Sequence, residues 1–221
     1  MSDEVPAAGA GRTTREAIIE AALRGFGEKG FDATGVREIA AAAGTNIASI
    51  SYHFGGKEGL RDACAEHIVA LMGRVLAAAR TGEALPPDPA AAAEALTGLV
   101  RSLVGFLLLE PQGQLVAGFM LREMAQPSSA LDTIYEGLFE GVHRRVCGVW
   151  ATATGQNPES AEVRLTVFAI IGQILYFRIA GPVVERRMGW AGIGAAEAGA
   201  IGDTVVRNLL ARLDADRRQR P

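Results

Sequence analysis

Apolar residues recur along this chain at intervals of three and four, the spacing of one face of a helix, so the pattern predicts an all-helical protein. A first helix runs from a Thr13 or Thr14 cap to about Lys29, with Ile18, Ile19, Ala22, Leu23 and Phe26 on its apolar face. Gly30 ends it, and Phe31 is expected to pack back onto that cluster. A second helix, capped by Thr34, buries Val36, Ile39, Ala40 and Ala43 and stops at Gly44. Asn46 opens a third, Ile47 to His53, whose inward stripe is Ile47, Ile50 and Phe54. No strand signal intervenes, which argues against a winged arrangement. A longer helix from Lys57 to about Arg80 carries Leu60, Cys64, Ile68, Leu71 and Val75 on one side. The proline-rich stretch TGEALPPDP (81–89) interrupts it. Five further helical patterns follow, at about 89–109, 112–124, 128–153, 158–180 and 196–215, separated by Pro111, Pro127, Pro158 and the Gly181-Pro182 break. The stretch GWAGIG (189–194) reads as irregular.

The third helix has about seven residues, well short of the roughly 12–15 a helix needs to persist alone in water. Something must hold it from behind, and the first helix is the natural brace. A short capped helix, gripped by its apolar face and showing small polar and aromatic groups outward, suits insertion into the major groove of double-stranded DNA. The candidate reading residues are Thr45, Asn46, Ser49, Tyr52 and His53, with Ala48 small enough for close approach or contact with a thymine methyl. Lys57 lies at the start of the next helix, an unfavourable place for a cation that contact with a phosphate would offset.

Over roughly Thr14 to Leu60 the chain resembles the helix-turn-helix of the TetR/AcrR family of bacterial transcriptional repressors. Thr34, Arg37, Ile39, Ala40, Ala43, Gly44, Phe54, Lys57 and Leu60 match its usual form, and Asn46 replaces the usual cap serine with the same capping chemistry. Ser51 stands where the family has a tyrosine that touches the DNA backbone, and Tyr52 and His53 are placed to take that contact over. The segments 122–139 and 172–190 resemble the CecR-like subgroup. The resemblance implies an N-terminal three-helix DNA-binding domain with a helix-turn-helix, and a C-terminal helical ligand-binding and dimerisation domain. It implies a repressor of export or stress genes that responds to xenobiotic small molecules. The corresponding division is a disordered leader at 1–12, a DNA-binding domain at 13–59 and an effector and dimerisation domain at 60–221.

Composition narrows this picture. With 221 residues and 49% hydrophobic content the chain can bury one or two cores. Its net charge is −3, and the first 60 residues hold 6 Lys+Arg against 8 Asp+Glu, which counts against bulk attraction to DNA. The counterweight is local: Thr45 to Lys57 contains no acidic residue, and Arg12, Arg15, Arg37 and Lys57 can converge on phosphates. Two distant cysteines imply a reducing compartment without a disulfide framework. The start reads as neither a signal peptide nor an apolar anchor, and the longest uncharged apolar run, Leu165 to Phe177, has 13 residues against about 20 for a span. A soluble, cytoplasmic protein is expected.

Met120, Glu123, Met124, Tyr135, Phe139, Gln173, Tyr176 and Phe177 are candidate lining of a small-molecule cavity, or ordinary core. Arg122 and Glu123 can equally form a structural pair. The stripes Leu165, Phe168, Ile171, Leu175 and Ile201, Val205, Leu209 can build a four-helix bundle across a two-fold axis, or pack within one chain. Cys64 with His67, and His143 with Cys147, have the spacing of metal ligands but are too few for a four-coordinate site, so no metal and no cofactor is expected. No nucleophile–base set or phosphate loop stands out, and no catalytic activity is expected. The alternatives are a helical enzyme and a partner-binding protein whose helix-turn-helix no longer binds DNA.

Overall fold

The computed structural model describes residues 13–78 and 84–218, and every regular element among them is helical. The expected leader at 1–12, Arg12, and the end of the fourth helix near Arg80 lie outside the described residues. The elements are α1 (Thr14–Lys29), α2 (Val36–Ala42), α3 (Ile47–Phe54), α4 (Lys57–Ala78), α5 (Pro89–Leu109), α6 (Pro111–Ala125), α7 (Ser129–Ile134), a π-helical turn (Tyr135–Phe139), α8 (Glu140–Thr154), α9 (Ala161–Ile179), α10 (Gly181–Met188) and α11 (Ala195–Arg218).

Local chemistry sets most of these boundaries. Thr13 and Glu16 form a reciprocal capping box at the start of α1. Asp88 accepts from the Ala90 and Ala91 amides to open α5, and Ser160 accepts from Val163 to open α9. Proline occupies the first turn of α5, α6 and α10, where its missing N–H costs nothing. That last case corrects the sequence reading: Gly181-Pro182 breaks the chain but also starts an eight-residue helix. The expected helix over 128–153 is continuous but contains the π-helical turn, where Gly137 lies close enough to α4 that a Cβ would stand 3.1 Å from Val69.

Helices α1 to α3 form one unit around Ile18, Ile19, Leu23, Phe26, Ile39 and Ile50, all at most 3% exposed. Helices α4, α6, α8, α9 and α11 pack around α5, while α7 and the π-helical turn lie on α4 and α10 lies on α9. Among the described residues α5 is the single helix long and apolar enough to cross a bilayer on length and composition, a stretch the sequence reading passed over. Its apolarity has another cause: eight of its residues, from Ala92 to Leu108, are buried among neighbouring helices. Trp150 of α8 is fully buried and donates from Nε1 to Asp216 of α11 at 3.2 Å, while Arg212 neutralises that buried carboxylate at 2.8 Å.

The α11 stripe Ile201, Val205 and Leu209 is buried within the chain, so packing inside one subunit accounts for it. On α9 the two expectations separate. Leu165 and Phe168 are exposed, whereas Ile171 and Leu175 turn inward.

Candidate nucleic-acid interface and the cavity behind it

The turn between α2 and α3 follows from Gly44. Its φ of +66° is left-handed, the Thr45 amide reaches back to the Ala40 carbonyl at 2.9 Å, and the Gly44 amide reaches Ala41 at 3.1 Å. This is the double bond pattern that closes a helix through a glycine. Asn46 then caps α3, its Oδ1 accepting from the Ser49 amide at 2.9 Å and the Ser49 hydroxyl at 3.2 Å. The Thr45 hydroxyl donates to Ser49 Oγ at 2.9 Å. Thr45 and Ser49 are therefore half-buried members of the cap, whereas Asn46, Ala48, Ser51, Tyr52 and His53 are exposed. Tyr52 is 85% exposed and its ring meets His53 edge-on at 5.0 Å.

Two local expectations are corrected. Thr34 does not cap α2; it is fully buried, donating from Oγ1 to the Gly30 carbonyl at 2.7 Å, and the N-cap position of α2 is Gly35, which has no side chain to offer. Ile47 is 40% exposed, so only Ile50 and Phe54 anchor α3. Ile47 therefore stands on the outer side of α3, an apolar residue next to the exposed Asn46 and Ala48.

The cations sit around this face. Arg37 is exposed on α2, and the Arg15 guanidinium stacks on Phe54 at 5.4 Å. The Lys57 ammonium lies over the Phe31 ring at 4.4 Å, which offsets its place at a helix start. Lys29 pairs with Glu38, and that hydrogen bond raises its pKa.

Behind this unit, α6 divides its surface between two neighbours. One face, with Phe119, Arg122 and Glu123, meets the DNA-side helices. Phe119 packs on Phe26 at 6.4 Å, and α1 and α6 cross so closely that a Cβ on Gly27 would lie 3.0 Å from the Phe119 amide nitrogen. Arg122 donates to the Gly27 and Glu28 carbonyls at 3.3 and 2.9 Å, capping the C-terminal end of α1. Glu123, 2% exposed, accepts two bonds from Arg61 of α4 at 2.7 and 2.9 Å and one from Ser128 at 2.7 Å. Arg122 and Glu123 thus have separate partners and are not a pair with each other.

The other face of α6, with Val116, Ala117, Met120 and Met124, walls a cavity of about 290 Å³. Its remaining walls come from α4 (Met72, Leu76), α5, the π-helical turn, α8, α9 and Leu209 of α11. Of the eight lining candidates, Met120, Met124 and Phe139 border it. Glu123, Tyr135, Gln173, Tyr176 and Phe177 do not. Glu123 is engaged with Arg61, Gln173 accepts from Asn208 at 2.8 Å, Tyr135 and Tyr176 are each 55% exposed, and Phe177 packs against the core. The sequence reading missed Met72, Leu76, Arg178 and His143, which a helical period cannot separate from ordinary core.

The cysteines and histidines keep to local roles. The Cys64 thiol is buried and points at the Ile19 carbonyl (3.8 Å), and burial pushes its pKa up. Cys147 lies 3.7 Å from His143 Nδ1, while His143 Nε2 is 3.2 Å from the Arg164 carbonyl; a ring donating from Nε2 and accepting at Nδ1 satisfies both. Among the described residues no group of three or more His, Cys, Asp or Glu is placed to hold a metal.

Comparison with known proteins matches both halves of the chain. The model for bacterial regulatory proteins of the tetR family matches residues 18–64, and that for the C-terminal domain of the HTH-type transcriptional dual regulator CecR matches residues 92–215. The chain is 34% identical over 204 residues to the HTH-type transcriptional dual regulator CecR of Shigella flexneri, covering 90% of this chain and 91% of that protein. It is 51% identical over 57 residues, 26% of each chain, to a probable HTH-type transcriptional regulator, YttP, of Bacillus subtilis (strain 168). Among solved structures, AibR in complex with isovaleryl coenzyme A and operator DNA superposes with a TM-score of 0.67 at 18% identity, over 88% of this chain and 96% of that one. The fatty acid degradation regulator FadR from Bacillus halodurans gives a TM-score of 0.63 at 21% identity, over 91% and 97%. At such identities these two likenesses speak to the fold alone.

Proposed function

This chain belongs to the TetR family of bacterial transcriptional regulators, with a C-terminal domain of the CecR type, and from that premise we propose that it is a homodimeric repressor released from its operator by a small molecule. The observation that carries this reading is the double duty of α6, which walls the cavity with one face and holds the DNA-side helices with the other. Helix α4 repeats the arrangement end to end: Lys57 and Arg61 sit beneath the reading unit, and Met72 and Leu76 border the cavity, about 22 Å away at the rise of an α-helix.

In this reading Asn46, Ala48, Ser51, Tyr52 and His53 face the groove, Ile47 offers an apolar contact for a thymine methyl, and Thr45 and Ser49 hold the start of the helix in place. Arg37, Lys57 and Arg15 supply phosphate contacts. A second copy docks on the exposed α9 residues Leu165, Phe168, Tyr176 and Ile179, continued by Val183 of α10. The two reading helices then lie one helical turn of DNA apart, about 34–36 Å. A molecule in the cavity favours an arrangement of α6 and α4 in which that spacing is lost, and operator DNA weakens ligand binding by the same factor.

A gel-shift on DNA from upstream of the protein's own gene, at rising salt, tests the core of this. Binding whose logarithm of affinity falls steeply and linearly with the logarithm of salt concentration is expected. Absent or salt-insensitive retention would overturn the proposal.

A further inference from the structure

We infer that the cavity takes a neutral, largely hydrocarbon ligand and admits no polar head group. This rests on the reading of the cavity as an effector site and names the class of effector. Among the described residues that border the cavity, only His143 and Arg178 have polar side-chain atoms, and the surface they help to line is almost entirely apolar. His143 gives the wall a ring and no free nitrogen. Its Nε2 meets the Arg164 carbonyl at 3.2 Å, its Nδ1 meets the Cys147 thiol at 3.7 Å, and the ring stacks on Phe168 at 4.0 Å. Arg178, half-buried in the last turn of α9, can give so apolar a surface little beyond its methylene stem. Every other side chain at the wall is that of Ala, Val, Leu, Ile, Met or Phe, besides Gly172. The main chain adds little, because each lining residue lies within a helix or the π-helical turn, where amides and carbonyls bond one another.

Such a wall rejects any hydrogen-bonding group it cannot answer. Most small-molecule sites set a few polar groups in an apolar lining to fix their ligand. Here a hydroxyl taken from water finds no partner, and a full charge loses more still. Size and shape do the selecting instead. The volume of about 290 Å³ is roughly twice the ~150 Å³ at which an apolar cavity admits benzene, which suits a body of two fused rings. Met72, Met120 and Met124 let the wall adjust to flat or branched bodies. The lining residues Leu121, Met124, Phe168 and Ile179 are also exposed, so the approach to the cavity is apolar as well. Charged groups gather instead in the adjoining recess, with Glu140 and Glu159 beside Arg144 and Arg164.

Equilibrium dialysis of the full chain against 1-methylnaphthalene, 1-naphthalenemethanol, 1-naphthylmethylamine and 1-naphthoate tests this, since the four share one ring body and differ in the head. The hydrocarbon should bind about tenfold tighter than the alcohol, and about a hundredfold or more tighter than the ammonium or the carboxylate. Equal or tighter binding of any of those three would overturn the inference, because it requires a polar anchor. Met120→Trp and Ile171→Phe, which fill the cavity from α6 and α9, should each weaken 1-methylnaphthalene binding about tenfold. Unchanged binding by either variant, with its melting transition intact, would place the ligand outside the cavity and also overturn the inference. If neither variant folds, the wild-type series decides alone. Binding in the expected order without release of operator DNA in the gel-shift would uphold the ligand class and remove the effector reading. A preference for the alcohol or an ion, with release of operator, would do the reverse. No binding of any of the four would sink both.

Discussion

Replacing Glu123 with alanine removes the acceptor of three hydrogen bonds at the joint between α4, α6 and Ser128. Its side chain is 3% exposed and that of Arg61 16%, so the change leaves a guanidinium in a poorly hydrated site without its counter-charge. Removing one partner of a buried pair costs about 3–5 kcal/mol. Arg61 keeps the face of Phe31 at 4.5 Å and the Gln126 carbonyl at 3.4 Å, which puts the expected loss at the low end, about 3 kcal/mol. For a chain of this size that lowers the melting temperature by about 6–12 °C. Urea unfolding at one fixed protomer concentration measures it, since association would otherwise shift the midpoint. The companion variant Arg61→Leu/Glu123→Leu should lie closer to wild type than Glu123→Ala, because two apolar residues leave no charge unpaired. A loss below about 1 kcal/mol for Glu123→Ala, or a double variant as unstable as the sum of both single leucine changes, would refute the idea that this pair locks the joint.

Three other outcomes are expected. Tyr52→Ala should leave stability within about 0.5 kcal/mol, since the ring is solvent-facing, yet weaken operator binding about tenfold in a gel-shift; unchanged affinity would remove Tyr52 from the interface. Gly44→Val forces a branched side chain into a left-handed φ of +66°, at a cost above about 1–2 kcal/mol, and should abolish operator binding; wild-type affinity would contradict the turn geometry. Burial, aided by Arg74, lowers the pKa of His67 below its ordinary 6.5, so the unfolded chain binds more protons than the native one around and just below that pH. His67 therefore makes stability rise with pH through that window and level off above it. His67→Gln should flatten this part of the stability curve, measured by urea unfolding between pH 5.5 and 7.5; an unaltered slope would assign it to other groups.

Much of this architecture was legible in the chain because caps and glycines carry their own geometry. Asn46, Gly44 and Thr13 act locally, and the helices they bound lie where the spacing predicts. What periodicity could not say is which neighbour an apolar face meets. Ile201, Val205 and Leu209 form a clear stripe, but it is satisfied inside the chain, while the exposed α9 residues Tyr176 and Ile179 went unremarked as a surface. The same ambiguity affected the cavity: Met120 and Met124 line it, whereas Glu123, one residue from Met124, points to Arg61 because a step of about 100° carries it to the opposite neighbour. Thr34 was misread for a related reason. A buried threonine and a capping threonine look alike until the carbonyl it serves, here that of Gly30, is known.

The crossing of α1 and α6 at Gly27 and Gly118 has a mechanical corollary. Where backbone rests on backbone the two helices stand closer than side chains at these positions would allow, and Phe26 against Phe119 fixes their register beside the contact. Any lengthwise shift of one helix past the other must therefore break the bonds from Arg122 to the Gly27 and Glu28 carbonyls, so this joint transmits movement of α6 to α1 as one body.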